Sequence, residues 1–524
     1  MRAYKKNIIV SIYIAIFSVF IPAIFWLSSG SKTQQNQKNT VVSPTPKKEA
    51  LPEKTTTVET TTVSKAQSKI EQRIGLGEKI LIAADRNPQK QAAARAFAAG
   101  NYQSAIIGYE ASLEVKRNDP EAWIYKNNAE AFAAGDFVRI AVAVPIGGNL
   151  NVAKEMLRGV AQVQEEVNNN GGIQGKLLQI TIANDDNQPE ISQQIARHLS
   201  RDKQILGVVG HNSTEASMAA AEIYQQAQLP MISPTTVGNG LSNIGDYIFR
   251  TTPDTRSTAD ILAHHVVKSD RLKKVAICFA SDAKASQSFK NAFEWSIFQA
   301  GGTLINIDCD FSKPDFDPAN ISTRAISHGA DALVLNPSIY NIDDAIAVVQ
   351  ANKQRLPLLG NQTMYVYETL QRGLSDANGM TLSVAWHPAT NSDDNSDDSF
   401  TQTAKNFWGG SVGWRTAMAY DAAKAIVMGL ESSSTRQQLQ EIISNSDFAF
   451  NGATGIVNFL PSGDRNLRGT LVKVVGGNKS GVGYDFVSVK DTSVKALHRR
   501  LSTPDRAVSS QEKKQERKQI TIER

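Results

Sequence analysis

The chain of 524 residues has very little cysteine, and this limits what it can be. Its two cysteines, Cys278 and Cys309, each lie in a strand-like run. The two runs could be neighbours, so an exported protein could bridge them, but two small buried thiols are the default expectation. No residues have the spacing of a metal site, and we find neither a nucleophile beside a base nor a phosphate-binding glycine loop. The sequence therefore predicts no metal, no cofactor and no enzyme.

The chain also lacks a surplus of charge outside its C-terminal tail. Its formal net charge is +5, and from Lys495 onward nine Lys and Arg stand against four acids, which accounts for the whole surplus. Nucleic-acid binding needs a basic patch on the folded body. We therefore expect no nucleic-acid partner, and we expect residues 491–524 to form a basic, disordered tail.

Charged residues are absent from Ile8 to Leu27. At about 1.5 Å of rise per residue, a helix of this length would cover the roughly 30 Å hydrocarbon core of a membrane. Arg2, Lys5 and Lys6 precede it and favour a cytoplasmic N-terminus. We expect residues 1–30 to be an uncleaved single-pass transmembrane anchor in the inner membrane, with the body on the periplasmic side. A cleaved signal peptide is the alternative.

Two further segments precede the main body. Residues 31–67 are rich in Ser, Thr, Pro, Lys and Gln and predict a disordered linker. Residues 68–135 have a helical pattern, in which Gly100 allows a close turn and Asp119 and Pro120 end one helix and begin the next. The segment from Gly100 to Trp123 resembles one tetratricopeptide (TPR) repeat. A single repeat cannot bury its own apolar face, so it is either a structural spacer or a module that binds a protein partner.

From residue 137 onward, strand and helix patterns alternate strictly, and the series then starts afresh. Such alternation predicts right-handed βαβ units, parallel sheets and two lobes with a ligand cleft between them. The predicted strands are Phe137–Val144, Leu177–Asp185, Ile205–Gly210 and Pro230–Ser233, then Val275–Phe279, Thr303–Phe311, Ala332–Leu335 and Pro357–Leu359. The predicted helices include Glu190–Ser200, Glu215–Ala227, Gln287–Ala300, Ile321–His328 and Asp343–Asn352.

The passage Ile205–Ser217 is the most informative stretch of the body. A strand feeds Gly210 and a short polar turn, and helical spacing begins directly afterwards. The first amides of a helix have no internal acceptor, and its N-terminus is positive, so an anion such as a carboxylate could bind there with Ser213 and Thr214. The alternative is that one hydroxyl only caps its helix.

Short motifs follow one another through the body in a fixed order: Asn169–Lys176, Asn184–Asp186, Gly207–His211, Met231–Pro234, Phe249–Thr251, Ala419–Ala422, Gly452–Phe459 and Gly463–Asp464. Together they resemble the type I periplasmic binding proteins of the branched-chain amino acid (Leu/Ile/Val) class. The resemblance implies one domain at 137–490, with lobe 1 at about 137–252 and 385–455 and lobe 2 at about 253–384 and 456–490. It places hinges near Thr251–Thr255, Gly379–Ala385 and Gly455–Pro461.

The same resemblance implies which residues bind a ligand. It assigns an amino acid's carboxylate and amine to the residues after the third and fourth strands, here Ser213, Thr214, Thr235 and Thr236. In lobe 2 it assigns an aromatic contact to Tyr340. It aligns the position of an acidic partner for the ligand's ammonium with Gln362, a neutral amide that can accept a hydrogen bond but lacks the charge. Trp386, Trp408 and Trp414 either line the cleft or fill the core, and we expect the core.

We therefore predict an α/β, two-lobed solute-binding component of an ATP-binding cassette (ABC) importer that binds an amino acid or a related small carboxylate. The resemblance implies a transporter permease as its partner. The alternative is a membrane-anchored sensor or assembly protein that keeps the fold with altered or lost ligand binding.

Overall fold

A computed structural model of the protein describes residues 69–388 and 400–489. Within these two ranges, no helix has both the length and the apolar character needed to cross a bilayer. The predicted anchor at 1–30, the linker at 31–67 and the tail at 491–524 lie outside the described residues.

The described residues form helices and strands that alternate through most of the chain. The α-helices are α1 (Pro88–Ala98), α2 (Tyr102–Val115), α3 (Pro120–Ala134), α4 (Leu150–Asn169), α5 (Pro189–Arg201), α6 (Thr214–Gln226), α7 (Thr255–His264), α8 (Lys284–Gln299), α9 (Ile321–Ser327), α10 (Ile342–Asn352), α11 (Tyr367–Ala377), α12 (Phe400–Trp408), α13 (Trp414–Leu430) and α14 (Arg436–Ile443). The strands are β1 (Ile74–Gly75), β2 (Phe137–Val144), β3 (Leu177–Asn184), β4 (Ile205–Val209), β5 (Met231–Ser233), β6 (Ile248–Arg250), β7 (Lys274–Phe279), β8 (Thr303–Ile305), β9 (Ala332–Asn336), β10 (Leu358–Gly360), β11 (Thr381–Val384), β12 (Phe450–Gly452), β13 (Gly455–Val457), β14 (Thr470–Gly476) and β15 (Tyr484–Ser488).

Two separate sheets define two lobes. The lobe 1 sheet has the order β1-β3-β2-β4-β5-β6, and the lobe 2 sheet has the order β15-β14-β11-β10-β9-β7-β8. Strands β2 to β6 are parallel, as are β7 to β11, while β1, β14 and β15 pair antiparallel. Apolar strands covered by helices on both faces give this arrangement. The predicted α/β fold with two lobes and parallel sheets is confirmed.

The chain crosses between the lobes beyond β6, beyond β11 and between β13 and β14. The last crossing is held by a buried ion pair, in which Arg465 Nη1 lies 3.2 Å from Asp421 Oδ2. Asp421 also accepts hydrogen bonds from the backbone amides of Ala453 and Thr454, at 2.6 and 3.2 Å. Helix α13 of lobe 1 is therefore bonded directly to the segment that leads into lobe 2.

We expected the segment before β2 to be helical throughout, and the structure shows that it is not. Its residues Ile74 and Gly75 form β1, which extends the lobe 1 sheet by pairing with β3. Helices α1 and α2 lie on either side of the predicted turn at Gly100, and α3 begins at Pro120 with Asp119 as its N-cap. Helix α2, however, already ends at Val115, before the predicted stop at Asp119–Pro120. Asn128 on α3 exchanges two hydrogen bonds with the backbone of Ile180 in β3, at 2.7 and 2.8 Å. These helices therefore pack on lobe 1 and share its core, while a TPR identity and a protein partner stay predictions.

The expectation of two free thiols was wrong. Cys278 at the end of β7 and Cys309 form a disulfide with an S–S distance of 1.99 Å. The predicted strand Thr303–Phe311 ends at Ile305, and the chain after it returns to β7 as an isolated bridge between Phe279 and Asp310. Sequence spacing alone could not show that the two strand-like runs lie side by side.

Replacing both cysteines with serine should lower the free energy of unfolding by about 2–4 kcal/mol, because the disulfide restricts the unfolded chain. Urea unfolding of the oxidised protein and of the double variant would measure this difference. Reduced wild-type protein is the matched control and should resemble the variant. Equal stability of the oxidised protein and the variant would contradict the prediction.

Candidate functional site

A cavity of about 300 Å³ lies between the lobes, where the carboxyl ends of parallel strands from both sheets meet. Its volume suits a small solute. The residues that line it come from both lobes. From lobe 1 they are Asn187, Pro189, Asn212, Ser213, Thr214, Glu215, Thr235, Val237, Trp414 and Arg415, and from lobe 2 they are Asp282, Ala283, Ala285, Ser286, Pro337, Ser338, Ile339, Tyr340, Asn361, Gln362 and Thr363.

The lobe 1 wall is built around the N-terminus of α6. Ser213 is the N-cap of this helix, since its side chain accepts a hydrogen bond from the amide of Ala216 at 3.1 Å. Thr214 is buried, and its hydroxyl oxygen accepts the amide of Gly238 at 3.2 Å. Each hydroxyl keeps its proton for donation, and the first amides of the helix have no acceptor inside it. The cap role and an anion-binding role are therefore compatible here.

The two threonines after β5 differ in position. Thr235 lines the cavity, and its hydroxyl donates to the carbonyl of Asn212 at 3.0 Å. Thr236 does not line it. The Thr236 hydroxyl is buried in a network with the hydroxyls of Ser217 and Ser233, at 2.5 and 2.8 Å. Thr236 therefore supports the wall of the cavity and its ligand contact stays a prediction, while the other five predicted residues line one cavity.

A buried polar network supports this wall from below. His211 Nδ1 lies 2.5 Å from Asp185 Oδ2, and His211 Nε2 lies 3.2 Å from the hydroxyl of Tyr224. Burial raises the pKa of Tyr224, and the nearby Asp185 adds to the effect, so the phenol stays protonated. Asp185 also accepts the amide of Asn187 at 2.9 Å, which fixes the loop that brings Asn187 to the cavity.

The lobe 2 wall is held by a network at the ends of β7, β9 and β10. Ser286 donates to the carbonyl of Asn336 at 2.7 Å, and Asn361 donates to the side chain of Asn336 at 2.5 Å. Gln362 follows directly and is buried, whereas Tyr340 is 67% exposed. Tyr340 therefore lies at the rim of the cavity, where its ring could cover a bound solute.

Three buried polar atoms on the lining residues have no hydrogen-bond partner within the described ranges. They are the donors Asn187 Nδ2 and Trp414 Nε1 and the acceptor Gln362 Oε1. Unpaired buried polar groups are costly, and in native proteins they usually meet a ligand or water. The cavity therefore offers both donors and an acceptor to a solute.

Sequence reasoning missed Arg415, whereas its expectation that the three tryptophans fill the core is met by all of them. Trp386 and Trp408 are buried in the core as expected, and Trp414 is buried but also lines the cavity. Arg415 lines the cavity beside it. A single arginine near a helix start has no distinctive spacing, and only the packing of α13 against the cleft reveals its position.

Comparison with known proteins agrees with the two-lobed architecture. A family model described as "Periplasmic binding protein" matches residues 138–478. The chain belongs to the periplasmic binding protein family. Its match covers both lobes, and the characteristic activity of this family is substrate binding rather than catalysis.

Named periplasmic binding proteins are similar to this one at low identity. Leu/Ile/Val-binding protein homolog 3 of Brucella melitensis is 26% identical over 57% of this chain and 80% of its own length. The branched-chain amino acid transporter substrate-binding protein LivJ of Streptococcus pneumoniae, solved with isoleucine, is 19% identical with a TM-score of 0.57, covering 67% of this chain and 100% of that one. A solute-binding protein of an ABC transporter from Rhodopseudomonas palustris, solved with 3,4-dihydroxybenzoic acid, is 19% identical with a TM-score of 0.58, covering 68% and 99%.

Proposed function

We propose that this protein is the solute-binding component of an ABC importer and binds an amino acid or a related small carboxylate between its lobes. The observation that carries the proposal is the N-terminus of α6 at the cavity, with the hydroxyls of Ser213 and Thr214 beside it. An anion bound there would meet unpaired amides, two hydroxyl donors and the positive end of the helix. The ligands named for the two solved relatives, isoleucine and 3,4-dihydroxybenzoic acid, both carry a carboxylate.

The contacts of the other functional groups follow from the same geometry. Gln362 Oε1 would accept a hydrogen bond from the amine of an amino acid. Thr235 and Tyr340 would complete the enclosure from lobe 1 and lobe 2 respectively. Closure of the two lobes around the solute would then present the loaded protein to a transporter permease.

The location proposed for the body is the extracytoplasmic side of the inner membrane, where the N-terminal segment would anchor it. The disulfide between Cys278 and Cys309 supports this location. Disulfides persist in oxidising compartments such as the periplasm and are rare in the cytosol.

A ligand screen on the full-length protein tests the function. Thermal unfolding should be measured with neutral and acidic amino acids, hydroxybenzoates and, as controls, amino acid amides without a carboxylate. A ligand at 100 times its Kd should add about 2.7 kcal/mol to the free energy of unfolding. If no carboxylate in the panel stabilises the protein, the transport role is contradicted and the sensor or assembly role becomes the better explanation.

Thr214→Val should weaken binding of the carboxylate ligand found in the screen by about 1–3 kcal/mol. Valine has nearly the same shape as threonine but lacks the hydroxyl that would donate a hydrogen bond to the carboxylate. Isothermal titration calorimetry would measure the Kd. Thr369→Val is the matched control, because Thr369 is equally buried but does not line the cavity. An unchanged Kd for the Thr214 variant would show that the carboxylate binds elsewhere.

A further inference from the structure

A second helix also begins at the cavity. Helix α13 has 17 residues and starts at Trp414, directly after Gly413, and no side chain caps its N-terminus. Its first residues, Trp414 and Arg415, both line the cavity. The first amides of this helix lack internal acceptors, and its N-terminus is positive. The cavity therefore has the positive ends of two helices, α6 and α13, in its wall.

The side chains at the start of α13 are also donors. Trp414 is 3% exposed, and its Nε1–H has no acceptor among the described residues. Arg415 is 6% exposed, and its guanidinium carbon lies 4.6 Å from the centroid of the Trp414 ring. Among the described residues that line the cavity, Arg415 is the only cation. Because buried donors in native proteins normally have an acceptor, the unpaired indole N–H is independent evidence that an acceptor group of a ligand binds at the start of α13.

Arg415 is only partly neutralised. Its Nη1 lies 3.2 Å from Glu155 Oε2, and the Glu155 side chain is 29% exposed. This contact uses one of the five N–H donors of the guanidinium group. A carboxylate in the cavity could therefore bind Arg415 without displacing Glu155, although the negative charge of Glu155 would weaken that binding.

We infer that the ligand carries two anionic groups, as an acidic amino acid or a small dicarboxylate does. This inference rests on the proposed function. One carboxylate binds at the start of α6 with Ser213 and Thr214, and the second binds at the start of α13 with Arg415 and the Trp414 indole. Arg415 thus determines specificity for the second acidic group.

The remaining charges of the cavity fit an amino dicarboxylic acid. Glu215 is half-buried, and its carboxylate accepts the amide of Lys284 at 2.9 Å across the two lobes. Asp282 lines the cavity but is exposed at its rim. These two acids, together with Gln362, supply the acceptors that an ammonium group needs.

The test compares L-glutamate with L-glutamine, which has the same shape without the second charge. Calorimetry on the full-length wild-type protein should give a lower Kd for glutamate. Arg415→Met should reduce the glutamate preference, expressed as the ratio of the two Kd values, by about thirty-fold or more. Glu155→Gln should raise that ratio by about three- to tenfold, because it removes the competing negative charge. The double variant Arg415→Met with Glu155→Met keeps the packing without either charge, and it should resemble the Arg415 variant.

The outcomes separate the two proposals. If glutamine or leucine binds at least as tightly as glutamate and both single variants leave the ratio unchanged, the inference is wrong while the solute-binding function stands. If only a monocarboxylate such as a hydroxybenzoate binds the wild-type protein, the inference is wrong while the proposed function stands. If no carboxylate, succinate included, binds it, both proposals fail. A lower ratio of the two Kd values for Arg415→Met together with a higher ratio for Glu155→Gln supports the inference. Misfolding of one variant would not produce shifts in opposite directions.

Discussion

Asp421→Ala is expected to lower the free energy of unfolding by about 3–5 kcal/mol, because it leaves a buried guanidinium group without its partner. Asp421 and Arg465 are both fully buried at their side chains, and the ion pair between them measures 3.2 Å. Arg465 Nε already has no hydrogen-bond partner within the described residues. The variant would also release the amides of Ala453 and Thr454 from their acceptor.

Denaturant unfolding of the variant and the wild type would measure this loss. Asp343→Ala is the matched control, because Asp343 pairs with Arg372 but its side chain is 81% exposed. Exposed ion pairs contribute about 0–1 kcal/mol. Similar losses for the two variants would show that burial of the Asp421–Arg465 pair is unimportant for stability.

Lys90→Met is expected to have a comparable effect, again about 3–5 kcal/mol, for the opposite reason. Lys90 Nζ lies 2.6 Å from Asp119 Oδ2 and 2.7 Å from Glu121 Oε2, and all three side chains are fully buried. Without the ammonium group, two buried carboxylates face each other. The variant therefore loses the attraction between Lys90 and the two acids, and it also gains a repulsion between the buried carboxylates of Asp119 and Glu121.

The pH dependence distinguishes this cause from a simple packing defect. Burial raises the pKa of Glu121 in the native protein, and loss of the Lys90 charge would raise it further. A carboxyl group whose pKa is higher in the folded than in the unfolded state makes its most favourable contribution to the free energy of unfolding at low pH, where it is protonated. That contribution is lost as the pH rises through the folded-state pKa. The destabilisation caused by Lys90→Met should therefore shrink on acidification.

Unfolding curves at several pH values would check this, with Lys176→Met as the control at an exposed ion pair.

A single unfolding transition for lobe 1 and helices α1 to α3 is also expected, since they share one core. A separate early transition in the Lys90 variant would instead mean that the helical segment unfolds independently.

Much of the body could be predicted because its elements have strong patterns. Strand β2 forms with the expected bounds, since Phe137–Val144 is apolar, strand-forming and buried on both faces of a parallel sheet. Helix α6 begins at Thr214 with Ser213 as its cap, because a polar turn precedes apolar residues at helical spacing. The carboxylate site predicted at this junction depends on local sequence alone.

Features that depend on distant contacts could not be predicted in this way. Strand β1 has only two residues and forms because β3 offers an unpaired edge. The disulfide depends on the pairing of β7 with the chain after β8, which the spacing of Cys278 and Cys309 does not encode. Arg415 reaches the cavity only because α13 packs against α4 of the same lobe.

Strand β3 would be the free edge of the lobe 1 sheet if β1 did not pair with it. The amides and carbonyls of Leu178 and Ile180 on this edge are already bonded to side chains of α3 and α4, and β1 pairs with the next part of the edge at Ile182 and Ala183. With β1 in place, the outermost strand on this side has only two residues. Strand β1 and the side chains of α3 and α4 together therefore leave no long row of free backbone groups on the described part of this edge, to which a strand of another molecule could add.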